Sequence, residues 1–270
     1  MTTYRRFSCV ERSIAMFLAQ DSKYEKELLI YNTDIEYPLS LSRELEGKGI
    51  VIINNNTNLL NGEDYSNVGD IRRDALFSSK GEYYICWDDD DIFLPWNIRQ
   101  CLDGISGTDF WAWKPKISLF WQKNKPPKLA NNVMEASFIS LSSKIKEIGF
   151  LPHKGGGEHL SWFQTLSKEK KMKIEDDSIP GYCFNWSDSG VIAGHKQSGS
   201  IDRVDNFTFH KENTKDIATR PLFHLSGTWL FDTIRTCTES IIQEFQENGS
   251  LDEKTKLIEK YIGSQWKSLI

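Results

Sequence analysis

The apolar run Tyr83-Tyr84-Ile85-Cys86-Trp87 ends in four consecutive aspartates, Asp88 to Asp91, followed by Ile92-Phe93-Leu94-Pro95. Aromatic and aliphatic residues with no helix cap predict a buried strand. Four like charges at its end repel one another, so the fold must neutralise them with a cation or with hydrogen-bond donors. Carboxylate oxygens are hard ligands suited to Mg²⁺ or Mn²⁺, metals that often bridge to phosphate. The competing reading is a solvated acidic turn. The apolar strand in front and Pro95 behind favour a metal–diphosphate site.

The rest of the first half alternates strand and helix. A Ser8–Glu11 capping box and Val10, Ile14, Phe17 and Leu18 predict a helix over 8–20. Leu28 to Tyr31 reads as a buried strand ending at Asn32-Thr33-Asp34, and Ile50 to Ile53 as another. Weaker helical signal covers 39–46 up to Gly47, and a helix is expected over 67–79 with Gly81 beyond it. Pro95 is expected to open a helix carrying Ile98, Cys101, Leu102 and Ile105. This order predicts an α/β fold: a central, mostly parallel sheet flanked by helices, with ligands beyond the carboxyl ends of the strands.

After residue 108 the pattern changes. Phe110–Trp113 and Ile117–Trp121 read as strands joined by a short turn, and 133–140 as a further strand. Ser142 is a cap for a short helix ending at Gly149, and glycine-rich 151–159 leads into a helix over 158–168. Strand signals recur at 172–174 and 181–186. From about 225 the chain is helical, with a C-terminal stripe of Leu257, Ile258, Tyr261, Ile262, Trp266 and Leu269 expected to pack on the core.

Composition removes several classes. A net charge of -5 argues against a broadly basic nucleic-acid binder. Five cysteines, an odd number with no CxxC spacing, fit free thiols in a reducing cytoplasm. No segment approaches the ~18 apolar residues that span a bilayer, and no signal peptide is visible. A cytoplasmic protein is expected.

The order of motifs over roughly 1–200 resembles the GT-A glycosyltransferases, most closely the family 2 type. Thr2-Thr3-Tyr4-Arg5-Arg6 is similar to that family's Thr-x-Tyr-Asn-Arg opening. Ile71-Arg72-Arg73-Asp74-Ala75 followed by Lys80-Gly81-Glu82-Tyr83 resembles its "ARN…GEY" segment, and Trp87 to Asp91 with Pro95 its "LDxDD…P" motif. Glu147-Ile148-Gly149-Phe150 and Gly156-Gly157-Glu158-His159 resemble its "GxF…GED" segment. The resemblance implies a Rossmann-like nucleotide-sugar-binding domain over 1–200, with a donor half at 1–107 and an acceptor half at 108–200. A helical C-terminal annex over 201–270 follows.

The same resemblance implies a metal-dependent, inverting transfer from a nucleotide sugar, a UDP-sugar first, to an acceptor hydroxyl. Asp88 and Asp90 become metal ligands, with His195 as a third and His210 or His224 as alternatives. Thr2, Tyr4, Asn32, Asp34, Arg72, Asp88 and Asp89 fall on the donor, with Tyr4 stacking on the base and Asn32 or Asp34 accepting from its edge. Glu158 takes the catalytic base, but His159 stands where the family has a second acid, so both are candidates. The family also implies a buried strand immediately before Thr2, whereas this sequence begins at Met1.

Lys114, Lys116, Lys123, Lys125 and Lys128 lie among Trp111, Trp113, Phe120 and Trp121. Cations mixed with aromatics suit an anionic polymer or stacked bases; the alternative is solvated lysines over buried tryptophans. Trp111, Trp113, Lys123, Lys125 and Gly157 are therefore acceptor candidates. A saccharide is the first acceptor class and a hydroxymethylated DNA base, as in bacterial-virus enzymes, the second. A nucleotidyltransferase or a non-catalytic nucleotide-sugar-binding module are the readings from other classes.

Overall fold

The computed structural model describes residues 1–122, 125–132, 135–150, 160–186, 220–223 and 228–264. The chain opens with a two-residue strand, β1 (Thr2–Thr3), then α1 (Phe7–Leu18), β2 (Leu28–Asn32), β3 (Ile50–Asn54) and α2 (Val68–Ser78). β1, β2 and β3 form a parallel three-stranded sheet in that order, with Thr2 opposite Tyr31 and Leu28 opposite Ile50. Every residue of β2 is buried, as expected of a parallel strand covered on both faces. α1 turns Val10, Ile14 and Phe17 into the core, each contributing about 1.5–3 kcal/mol of burial free energy. Its amino end has no side-chain cap: the helix starts at Phe7, and Glu11 gives its carboxylate to Arg220 (2.6 and 3.0 Å) instead of closing a capping box with Ser8. α2 is capped by Asn67, whose side chain accepts from the Asp70 amide at 2.9 Å.

The acidic run follows β4 (Tyr83–Ile85) and precedes β5 (Ile92–Phe93). α3 (Asn97–Ile105) comes next, so Pro95 sits in the turn ahead of the helix. β6 (Ala112–Pro115) and β7 (Ile117–Gln122) are separated by one residue and do not form the expected hairpin. Lys116 marks a bend at which the chain passes between two sheets. With β8 (Lys128–Asn131), β9 (Ile139–Leu141), β10 (Met172–Glu175) and β11 (Tyr182–Trp186), these strands build two four-stranded sheets, β10-β6-β9-β4 and β5-β11-β7-β8. α4 (Ser142–Ile148) and α5 (Leu160–Lys168) cover the first of them through Ile145, Trp162 and Leu166. The 39–46 segment forms only a 3₁₀ turn at Arg43–Leu45, because Leu41 pairs instead with Leu222.

α6 (Thr228–Glu247) and α7 (Leu251–Tyr261) supply the C-terminal helices. Cys237, Ile241, Phe245 and Ile258 join the same hydrophobic core as Val10, Ile14, Phe93 and Leu119. The annex is thus packed into the main body. Arg99 of α3 donates to the Lys260 and Tyr261 carbonyls, and Tyr261 Oη donates to Asp103. No helix among the described residues is long and apolar enough to cross a membrane.

Where the resemblance puts a strand before Thr2, Met1 itself extends the ladder, accepting from the Tyr31 amide at 2.8 Å. Between β2 and β4 lies a cavity of about 630 Å³, walled by Phe17, Leu28, Leu29, Tyr84, Ile85 and Leu102. It separates the parallel sheet from the edge of the mixed one.

Candidate functional site

The carboxyl ends of β1, β2 and β4 converge, and two consecutive arginines brace them together. Arg5 has φ +50°, a left-handed conformation that non-glycine residues seldom adopt. Its guanidinium reaches the end of β2, with Nε donating to Asp34 Oδ2 at 2.6 Å and Nη2 to Glu36 Oε2 at 2.7 Å. Arg6 reaches the acidic turn, with Nη1 donating to Asp89 Oδ1 at 2.7 Å and Asp90 Oδ2 at 3.3 Å. The side chains of Arg6, Asp89 and Asp90 are 5–7% exposed. Burial works against the Arg6 charge, but Asp89 and Asp90 outweigh it and raise its pKa above the ordinary value. Burial also pushes the Asp89 carboxyl above the usual carboxylate range, with the Asp90 charge adding to it and Arg6 opposing.

The four acids hold different positions. Asp91 accepts from Tyr182 Oη at 2.5 Å and from the Asn185 amide at 2.9 Å, which ties the turn to β11. Asp90 contributes its carbonyl to the Asn185 side chain at 3.1 Å. Asp88 is the most open, with 28% of its side chain exposed, and Oδ1 accepts from Arg72 Nη2 at 2.7 Å. Arg72 also donates through Nη1 to Cys86 Sγ. Beneath the turn Trp87 stacks on Phe93 (centroids 3.8 Å, 13°), and Phe17 meets Trp87 edge-on. An apolar floor therefore carries an acidic rim. On α1, burial first and Asp89 second push the Cys9 thiol up to about 12, so that thiol is inert at neutral pH.

The structure brings Thr2, Tyr4, Asn32, Asp34, Arg72, Asp88, Asp89 and Asp90 to this group of strand ends. Asn32 is committed within it. Its amide donates to Asn54 Oδ1, the Asp34 carbonyl and the Tyr37 carbonyl, and its Oδ1 accepts from the Asp34 amide. These bonds shape the loop that follows β2. Glu158 and His159, with Gly157, and His195, His210 and His224 lie outside the described residues, as does Lys123.

The lysine–tryptophan segment is dispersed. Trp113 is 2% exposed in a core with Cys101, Ile105 and Ile139 and presents no face to an acceptor. Trp111 is partly buried, its ring flanked by Lys144 (4.4 Å) and Lys171 (5.5 Å). Lys114 is buried and donates to the Asn132 carbonyl, Lys116 pairs with Asp176, and Lys125 bonds Gln122 from an exposed position. Solvated or internally paired lysines describe this stretch better than one basic patch.

Among the described residues no three His, Cys, Asp or Glu side chains are grouped as a metal centre. Asp88 keeps a part-exposed carboxylate beside Arg72, while Asp90 is buried against Arg6; carboxylate oxygens are hard donors of the kind that Mg²⁺ and Mn²⁺ take. Sequence reading gave no role to Arg5 and Arg6, although a run of four acids requires counter-cations and these two immediately precede the first helix. Tyr37, Tyr182 and Asn185 carried no recognisable signal.

No family model matches the chain, and no curated protein matches it. Solved structures do. S. aureus TarS 1-349 in complex with UDP-GlcNAc is 14% identical with a TM-score of 0.54, over 99% of this chain and 77% of that one. TarS 1-349 in complex with UDP is 13% identical with a TM-score of 0.52, over 96% and 75%. TarS 1-349 alone gives 12% and 0.51, over 99% and 86%. The chain shares the mixed α/β fold of these structures, with C-terminal helices present.

Proposed function

We propose that this protein is a metal-dependent glycosyltransferase that takes its sugar from a nucleotide-sugar donor, a UDP-sugar first. The observation that carries the reading is the half-open Asp88 carboxylate, held by Arg72 at the strand ends beside the buried Asp89–Arg6–Asp90 group. Support also comes from the fold, which a UDP-GlcNAc complex shares.

Asp88 and Asp90 would hold a Mn²⁺ or Mg²⁺ ion. Such an ion supplies Lewis-acid stabilisation of charge on a departing diphosphate. Arg6 keeps Asp89 and Asp90 in place without it, and Arg72 sets a cation next to Asp88 that favours phosphate. Trp87 and Phe93 form a dry floor that strengthens these electrostatic interactions. An acceptor hydroxyl oxygen bonds to the anomeric carbon as the carbon–oxygen bond to the diphosphate breaks. The hydroxyl proton passes to Glu158 or His159, and the diphosphate leaves with the bonding pair. One displacement inverts the anomeric centre. The acceptor ranked first is a saccharide.

Calorimetry with manganese and a panel of UDP-sugars, followed by donor hydrolysis, tests the reading. Metal-dependent binding and slow release of free sugar and UDP are expected. Pyrophosphate release would mark a nucleotidyltransferase, and binding without turnover of any donor a binding module.

A further inference from the structure

We propose that Asn185 and Tyr182, both on β11, are positioning residues: they hold the acidic turn so that the Asp90 carboxylate keeps one direction toward a divalent ion. The proposal rests on the metal-dependent reading above and deepens it. β5 and β11 run antiparallel, with Tyr182 opposite Phe93 and Cys183 opposite Ile92. Two more residues along the same register set Asn185 against Asp90. On its other side Asn185 is laddered to β7, opposite Trp121. Its backbone therefore sits on a strand, a more precise support than a loop.

Asn185 grips two consecutive acids. Its backbone N–H donates to Asp91 Oδ1 at 2.9 Å, and its side-chain amide donates to the Asp90 carbonyl at 3.1 Å. Tyr182 Oη donates to Asp91 Oδ2 at 2.5 Å. Asp91, Tyr182 and Asn185 are all buried. From the opposite side, Ser13 of α1 donates to the Asp89 carbonyl at 3.3 Å. The peptide groups before and after Asp90 are thus pinned from α1 and from β11. Arg6 meets the Asp90 carboxylate at 3.3 Å, against 2.7 Å for Asp89. The longer contact restrains that side chain less, so its direction depends more on the backbone that Asn185 holds. Mg²⁺ demands near-ideal octahedral ligands, whereas Ca²⁺ accepts flexible geometry. A displaced Asp90 therefore costs Mg²⁺ more than Ca²⁺.

Titration calorimetry of UDP in Mg²⁺ and in Ca²⁺, with melting curves on the same preparations, tests this in the wild type, Asn185→Ala and Tyr182→Phe. Asn185→Ala removes the bond to the Asp90 carbonyl and keeps the backbone N–H bond to Asp91. It should weaken Mg²⁺-dependent UDP binding by about 10–100-fold, the scale for losing a group that orients a metal ligand. Ca²⁺-dependent binding should fall by a clearly smaller factor, so the ratio of the two affinities drops. Tyr182→Phe loses one hydroxyl and should lower the ratio in the same direction; it decides alone if Asn185→Ala does not fold. UDP binding without metal should stay at the wild-type level in both. An unchanged ratio in the folded variants, whatever their melting temperatures, overturns the proposal and leaves both residues as supports of the fold. A wild type whose UDP binding ignores both metals would sink the metal reading of Asp88 and Asp90 itself, and this proposal with it.

Discussion

Arg6 and Asp90 share one contact at 3.3 Å, yet their removal is expected to have opposite consequences. Arg6 compensates two buried carboxylates, so Arg6→Met leaves Asp89 and Asp90 facing each other in a dry site. Breaking such a pair from one side costs about 3–5 kcal/mol, and a urea midpoint shift should show it. Asp90→Asn removes one of two repelling acids and leaves the 2.7 Å Arg6–Asp89 pair intact. It should keep or raise the melting temperature while abolishing manganese-dependent UDP binding, as paired melting and calorimetry would show. Unchanged metal-dependent affinity in Asp90→Asn would discard Asp90 as a ligand. At this scale the acids are legible in the sequence because they are contiguous, whereas their counter-cations are not. Arg6 meets Asp89 across 83 positions, and local periodicity carries no information about such pairings. Arg5 and Arg6 are visible as charges, but only the left-handed turn at Arg5 shows that they diverge to different strand ends.

Elements are recognised by period and misjudged where pairing decides. β2, β3, α2 and α5 fall where apolar spacing and caps predict them. β6 and β7 do not form a hairpin because each finds a better partner: β6 lies between β10 and β9, and β7 between β11 and β8. Backbone ladders, not the short gap between them, set their placement. α3 shows how tightly one element is fitted to the next. A Cβ added at Gly104 would overlap the indole of buried Trp113. Gly104→Ala should therefore destabilise by about 1–3 kcal/mol from overpacking, although alanine favours a helix by ~0.8–1.0 kcal/mol. Chemical denaturation decides between the two, and a more stable variant would show that α3 can retreat.

The other face of α3 holds α7. Burial opposes ionisation of Asp103, but the hydrogen bonds from Lys260 and Tyr261 outweigh it and lower its pKa from the ordinary 3.8. The folded protein releases this proton at lower pH than the unfolded chain. The stabilisation is therefore present above 3.8 and fades as pH falls through the lower folded value. The carboxylate is 37% exposed, so its worth is about 0.2–1 kcal/mol. Asp103→Asn should remove that acid-side slope, and hydrogen exchange of α7 amides against pH would reveal it.

At the scale of the whole molecule, the α/β class and the flanking helices are legible from strand–helix alternation, but the division of the strands among three sheets is not. Nothing in the sequence says that β4 pairs with β9 while its other edge faces the cavity beside β2. That space is open to solvent and rimmed by Glu25, Glu27, Lys80 and Glu82, so water reaches the edge of β4 that no strand ladders among the described residues. β2, in contrast, is laddered on both sides by β1 and β3. Amides of Tyr83 to Ile85 should therefore exchange with solvent well before those of Leu28 to Tyr31. Equal protection of the two strands would mean that the sheets close upon each other in solution.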